Sequence, residues 1–203
     1  YEEQAEQVAQ ALEGTVRTLT KVTEYADPYT AGHQARVARL ARAMAEEMDW
    51  GPEAAWGVEM GGRIHDLGKT AIPTGILNKS GRLSPQEFEL IKTHCDMGRE
   101  MVADTEFPWP VTAMVHQHHE RLDGSGYPQG LRGDQITPEA RVLAVADVVE
   151  AMCAHRPYRP ALGQEKALAE IENRRGTAFD PEAVDACLRL FREKGFRFDS
   201  EST

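Results

Sequence analysis

No run of apolar residues in this chain approaches the ~20 that a membrane-crossing helix needs, and no leader-type segment stands at its start. Cysteine is scarce. Cys95, Cys153 and Cys187 are the three in 203 residues, and no CxxC pair occurs. Scattered thiols of odd number argue against a disulfide framework and fit a reducing cytoplasm, each thiol being expected as a buried structural one. Basic residues are outnumbered, 23 Lys and Arg against 33 Asp and Glu, for a net charge of −10. A nucleic-acid duplex needs a broad basic face, so that partner is not expected. No membrane contact is expected of this segment either. A small anionic ligand stays open, because a bound metal and a few local Lys or Arg invert the field inside one pocket. An opening methionine is also missing, the chain beginning Tyr1-Glu2-Glu3-Gln4. That start suits a segment of a longer protein, with a sensor or receiver domain expected upstream and any membrane tether lying there too.

What is present is apolar content of 41%, enough for one globular domain with a sizeable core. Val/Ile/Thr alternation of strand type is missing and helical spacing runs nearly throughout, which predicts an all-α bundle. Residues 1–26 carry Ala5, Val8, Leu12, Thr15, Leu19, Val22 and Ala26 at spacings of three and four. This is either a heptad seam for a dimerising linker or an amphipathic first helix packing on the domain. The domain proper is expected over 27–203. Helices are predicted over 32–48, over 52–67 with Gly68 as C-cap, over 84–102 behind a Ser84-Pro85-Gln86-Glu87 capping box, and over 110–120. Thr137-Pro138 and Asp180-Pro181 start two more, the last ending near residue 195. Loops rich in Gly and Pro are expected over 68–83 and 121–136.

Six of the seven histidines, His33, His65, His94, His116, His118 and His119, fall at interior helix positions or helix ends. His65-Asp66 alone is a weak signal. It gains weight from the adjacent pair His118-His119 and from Asp147, which sits inside the apolar run Val142 to Val149. A carboxylate buried there is costly unless paired or bound to metal. Several imidazoles and two such carboxylates on different helices are the ingredients of a metal site in a helical bundle, and nitrogen and oxygen donors without thiolate suit iron, manganese or zinc. The alternative is a set of satisfied core histidines and a capping Asp.

Longer strings narrow this. Ile64-His65-Asp66-Leu67-Gly68-Lys69 resembles the HD motif of the HD phosphohydrolase superfamily. His118-His119-Glu120-Arg121-Leu122-Asp123-Gly124-Ser125-Gly126-Tyr127-Pro128 resembles the HHExxDGxGYP signature of the HD-GYP family. Gly32-His33-Gln34-Ala35-Arg36-Val37, Ile76-Leu77-Asn78-Lys79, Val145-Ala146-Asp147, Arg156-Pro157-Tyr158-Arg159 and Phe179-Asp180-Pro181 resemble further elements of that family, in family order. The resemblance spans residues 27–185 and implies an HD-type helical bundle.

The resemblance also implies a function: metal-dependent hydrolysis of cyclic di-GMP to pGpG, and in some members on to GMP. Two divalent ions are implied, iron or manganese foremost, with zinc, nickel or magnesium as alternatives. His33, His65, Asp66 and Asp147 would hold one ion, and Asp66 would bridge to a second held by His94, His118 and His119. Lys69 is implied as the phosphate-contacting lysine, with Gly126, Tyr127, Pro128, Arg156 and Arg159 contacting the dinucleotide. Three-metal members carry a Glu where this chain has Tyr29, so two metals are expected. His116 matches no ligand position and is expected to be structural. The rival expectations are a hydrolase of another cyclic dinucleotide, a module that binds a cyclic dinucleotide or a partner without turnover, and a purely structural dimer on residues 1–26.

Overall fold

The computed structural model describes residues 2–27, 31–154 and 161–198, the side chains of residues 2–6, 8 and 9 excepted. Tyr29, Arg156 and Arg159 therefore lie outside the described residues, as do the side chains of Ala5 and Val8. Ten α-helices occur among them: α1 (Glu2–Ala26), α2 (His33–Glu47), α3 (Pro52–Ile64), α4 (Thr74–Leu77), α5 (Pro85–Lys92), α6 (His94–Val102), α7 (Val111–Gln117), α8 (Pro138–Cys153), α9 (Gln164–Asn173) and α10 (Pro181–Arg192). No strand forms among the described residues, only two isolated bridges. The all-α expectation holds.

Start signals act as their chemistry predicts. The Ser84 hydroxyl accepts from Glu87 N while the Glu87 carboxylate accepts from Ser84 N. Thr137 and Asp180 likewise cap α8 and α10 with their side-chain oxygens, each followed by proline at the first helical position.

Several elements differ from expectation: the helix over 110–120 ends at Gln117, and the last helix ends at Arg192. The helix over 52–67 ends at Ile64, and Gly68 is no C-cap: it lies in a 3-10 turn, Leu67–Ala71. The helix over 84–102 is two helices broken at Thr93, whose hydroxyl is drawn back onto the Leu90 carbonyl. The 68–83 segment holds the 3-10 turn and the short α4. Helix α9 was not expected from the sequence pattern.

α8 is the axis of the bundle and packs on α2, α7, α9 and α10, while α2 also packs on α3. Leu40, Met44, Met60, Ile64, Met114, Leu143, Leu168 and Ile171 are buried between them. Each such side chain contributes about 1.5–3 kcal/mol relative to exposure. Because the middle of α8 is enclosed by these helices, Asp147 and Glu150 are buried with it, while Glu139 in its first turn is only partly covered.

α1 packs on α3 and the 3-10 turn. Val16, Thr20 and Thr23 are buried, with Leu12 and Leu19 leaning on the same core, and Thr20 Oγ1 donates to Arg63 O at 2.8 Å. The seam positions Thr15 and Val22 face outward instead.

Candidate metal centre

Helix ends converge on one point. His33 opens α2, His65 closes α3, His94 opens α6, and His118-His119 close α7. Asp66 sits in the turn after α3, and Asp147 projects from the middle of α8. Ring centroids are 5.6 Å apart for His33–His65, 4.9 Å for His65–His118, 5.4 Å for His94–His118 and 4.1 Å for His118–His119. Of the six helix-associated histidines, His116 alone stands apart, bonded to Asp96 at 2.9 Å.

Two glycines let this convergence happen. A Cβ on Gly68 would lie 1.9 Å from His94 O and 2.5 Å from Gly98 N, so only glycine lets the turn carrying Asp66 press onto α6. A Cβ on Gly126 would lie 2.4 Å from both His119 O and Glu120 Cα. The loop therefore folds back over the His118-His119 turn, where Tyr127 N donates to His119 O at 3.2 Å. Buried Glu120 holds that loop by accepting from Gln129 N and Leu131 N. Asp123 Oδ1 accepts from the Ser125 amide and hydroxyl and fixes its tip.

The imidazoles are oriented by their second nitrogens. Nδ1 of His65 meets Gly62 O at 2.7 Å, Nδ1 of His94 meets Ile91 O at 2.7 Å, and Nδ1 of His118 meets Val115 O at 2.8 Å. A carbonyl only accepts, so each Nδ1 carries a proton and each Nε2 is turned into the site. Burial, reinforced for His118 by the neighbouring imidazoles, pushes His94 down and His118 well below the usual histidine range. Burial and the nearby His118 do the same to His119.

Two lone pairs thus face each other across the 3.3 Å between His94 Nε2 and His118 Nε2. Asp66 Oδ1 completes a triangle with them, buried and without a hydrogen-bond partner, 3.5 Å from the first and 3.9 Å from the second. Acceptors gathered around an orphaned carboxylate oxygen, with no proton to share, fit a divalent cation.

The other oxygen of Asp66 faces the other half of the site. Oδ2 is 3.9 Å from His33 Nε2, 3.5 Å from His65 Nε2 and 2.6 Å from Lys69 Nζ. Burial alone would raise the Asp66 carboxyl. Lys69 and then the imidazoles outweigh burial and hold the carboxyl well below the carboxylate range. Asp147 Oδ1 lies 3.2 Å from His33 Nε2 and Oδ2 lies 3.8 Å from His119 Nδ1. Two groups with clustered ligand atoms follow: Asp66, His94, His118 and His119, and His33, His65 and Asp66. The seven residues expected as ligands are brought together, and Lys69 with them.

Glu150 was not expected. It lies one helical turn after Asp147 and accepts from His33 Nδ1 and, at 2.6 Å, from Arg36 Nε. Burial would lower His33, but Asp147 and Glu150 override it and raise the ring to about 9. The sequence signal was available: Glu150 is a second carboxylate at the end of the same apolar run.

Cys95 lies close as well, with Sγ 3.6 Å from His94 Nε2. Burial pushes its thiol far up.

A bundle of helix ends presenting five imidazoles and two carboxylates to one buried point defines an HD-type helical domain. The HD domain family model matches residues 17–183. This chain belongs to that family. It is 40% identical to the cyclic di-GMP phosphodiesterase response regulator RpfG of Xanthomonas campestris, over 86% of this chain and 47% of the relative. It is 34% identical to 3'3'-cGAMP-specific phosphodiesterase 3 of Vibrio cholerae, over 86% of this chain and 38% of the relative. The chain thus spans about half the length, or less, of the curated relatives it matches. Among solved structures, an HDG"Y"P protein from Bdellovibrio bacteriovorus shares the fold with a TM-score of 0.65 at 21% identity, over 79% of this chain and 51% of that one.

Proposed function

We propose that this chain hydrolyses cyclic di-GMP to linear pGpG, with GMP as end product if the linear dinucleotide is cut again. The observation that carries the reading is the carboxylate of Asp66, each oxygen turned to a different set of imidazoles. His33, His65, Asp66 and Asp147 would hold one divalent ion, and Asp66, His94, His118 and His119 a second. Iron or manganese suits this donor set best, with zinc, nickel or magnesium as alternatives. When bound, such ions bring water towards hydroxide near neutral pH and neutralise charge developing at phosphorus.

The rest falls to the chain's own groups. Carbonyl-anchored Nδ1 atoms aim Nε2 of His65, His94 and His118 into the site, and burial keeps that of His94 and His118 unprotonated. His33, flanked by Asp147 and Glu150, would have to give up its Nε2 proton to serve as a ligand. Lys69, tied to Asp66, adds a fixed cation beside the phosphodiester. Tyr127 lies 4.7 Å from His119 between ring centroids and offers a face to a base. Gly126 and Pro128 shape its loop, and Arg156 and Arg159 would grip phosphate oxygens. Hydrolysis adds water across one P–O3′ bond. Phosphorus keeps the incoming oxygen, and the 3′ oxygen leaves with a proton.

Relatives of about twice the length support an upstream sensor or receiver domain. A homodimer through residues 1–26 is part of the same proposal, supported by the outward Val22 and Tyr25. So is a cytoplasmic location, supported by three free thiols. A second reading, hydrolysis of 3′3′-cGAMP, is favoured by the Vibrio cholerae relative. Asp66→Ala tests the central residue: metal content and turnover should fall together, and full turnover in that variant would overturn the bridging role.

A further inference from the structure

Two aromatic rings and an ammonium form a corner beside the imidazole cluster. α5 carries no buried residue, and Phe88 on it is 46% exposed. The Phe88 ring meets Tyr127 edge-on, at 6.3 Å between centroids and 81° between planes. Lys92 Nζ stands 5.6 Å from the Phe88 centroid and 5.7 Å from that of Tyr127. Tyr127 in turn packs on His119, so the corner is one ring removed from the metal ligands. The ion-pair partner of Lys92 is Glu89, at 2.7 Å, with a side chain 69% exposed. A pair whose carboxylate stands in water is weak, so the half-buried ammonium can exchange it for a ligand acceptor.

We propose that Phe88, Lys92 and Tyr127 form a guanine-recognition corner, with Lys92 selecting the base and Phe88 stacking on it. The inference rests on the reading of the site as a cyclic-dinucleotide hydrolase and adds two residues of α5 to it. An ammonium has three donors and no acceptor. Guanine sets two acceptors side by side, O6 and N7, where adenine sets N7 beside an amino donor. Lys92 therefore fits guanine and opposes the amino group of adenine. Stacking on a ring tolerates any base, so Phe88 governs affinity and not choice.

The test is steady-state hydrolysis of cyclic di-GMP and cyclic di-AMP by the metal-loaded chain and its variants Lys92→Met, Lys92→Arg and Phe88→Ala. The ratio of kcat/KM for the two substrates should favour guanine in the parent and fall about tenfold in Lys92→Met. Lys92→Arg, which keeps the donors, should hold the ratio. Phe88→Ala should raise KM about fivefold or more for both substrates with the ratio unchanged. A merely structural role for Lys92 would lower kcat on both and leave the ratio alone, and an unchanged ratio in Lys92→Met overturns the inference. If the parent hydrolyses neither substrate, the proposed function fails, and equilibrium binding of the same nucleotides decides the corner. A guanine preference lost in Lys92→Met would then uphold it, and an equal binding ratio in both proteins would overturn it.

Discussion

Replacing Glu150 by glutamine separates orientation of a ligand from ligation itself. The two carboxylate oxygens are both in use, Oε2 on His33 Nδ1 and Oε1 on Arg36 Nε. An amide has one acceptor oxygen. Whichever way it turns, one donor meets an NH2 group, so one charge-assisted hydrogen bond is lost, about 1.5–3 kcal/mol. The imidazole of His33 also loses one of the two charges that make it basic, that of Asp147 remaining. Groups that orient metal-binding histidines typically affect metal affinity about 10–100-fold. Glu150→Ala is harsher, because it removes the acceptor of both hydrogen bonds from a position 1% exposed, and should cost about 3–5 kcal/mol. Thermal unfolding of the chelator-treated protein measures the first quantity, and retained metal after dialysis against a series of free-metal concentrations measures the second. The expected result is a folded Glu150→Gln protein with weakened metal binding. Affinity and stability equal to the parent's would refute the argument.

Other expectations follow from the same geometry. Gly68→Ala should cost about 1–3 kcal/mol or more, because the new methyl meets backbone of α6 that cannot rotate away, and metal held near His94 should be lost with it. Gly14→Ala, with nothing within 4 Å of its Cβ, should instead gain about 0.5–1 kcal/mol. Comparing the two melting points checks both. Glu59 accepts from Arg42 and Arg63 at 2.8 and 2.7 Å. Burial would raise it, but the two guanidinium groups hold it below its ordinary value. Its contribution is therefore present above the unfolded value of ~4.3 and fades as pH falls through the lower folded value. Glu59→Gln should be about 1–3 kcal/mol less stable at pH 7, with the deficit shrinking below that unfolded value. Urea unfolding across this range reads it, and a deficit independent of pH would contradict it.

The residues most legible in the sequence were those that chemistry forbids at random. Asp147 stood out because an unpaired carboxylate cannot rest in an apolar run, and α8 does bury it against His33. Glu150 obeyed the same rule three residues later but was passed over, since it ends the run instead of interrupting it. The helix starts at Ser84, Thr137 and Asp180 were readable because their caps are local. The break at Thr93 was not, because continuous helical spacing runs through it. Gly68 looked like a helix stop. Its role depends on the approach of α6, a contact between segments that no local pattern records. On α1 the regular spacing suggested one seam, yet Leu12 and Leu19 pack inward while Thr15 and Val22 turn out. A helix period near 3.6 lets one string serve two faces.

The most direct measurement is turnover. The chain, prepared without oxygen and loaded with Mn²⁺ or Fe²⁺, is mixed with cyclic di-GMP and the products are separated by chromatography. The account predicts pGpG or GMP, abolished by chelator. Intact cyclic di-GMP in the presence of demonstrably bound metal would contradict it.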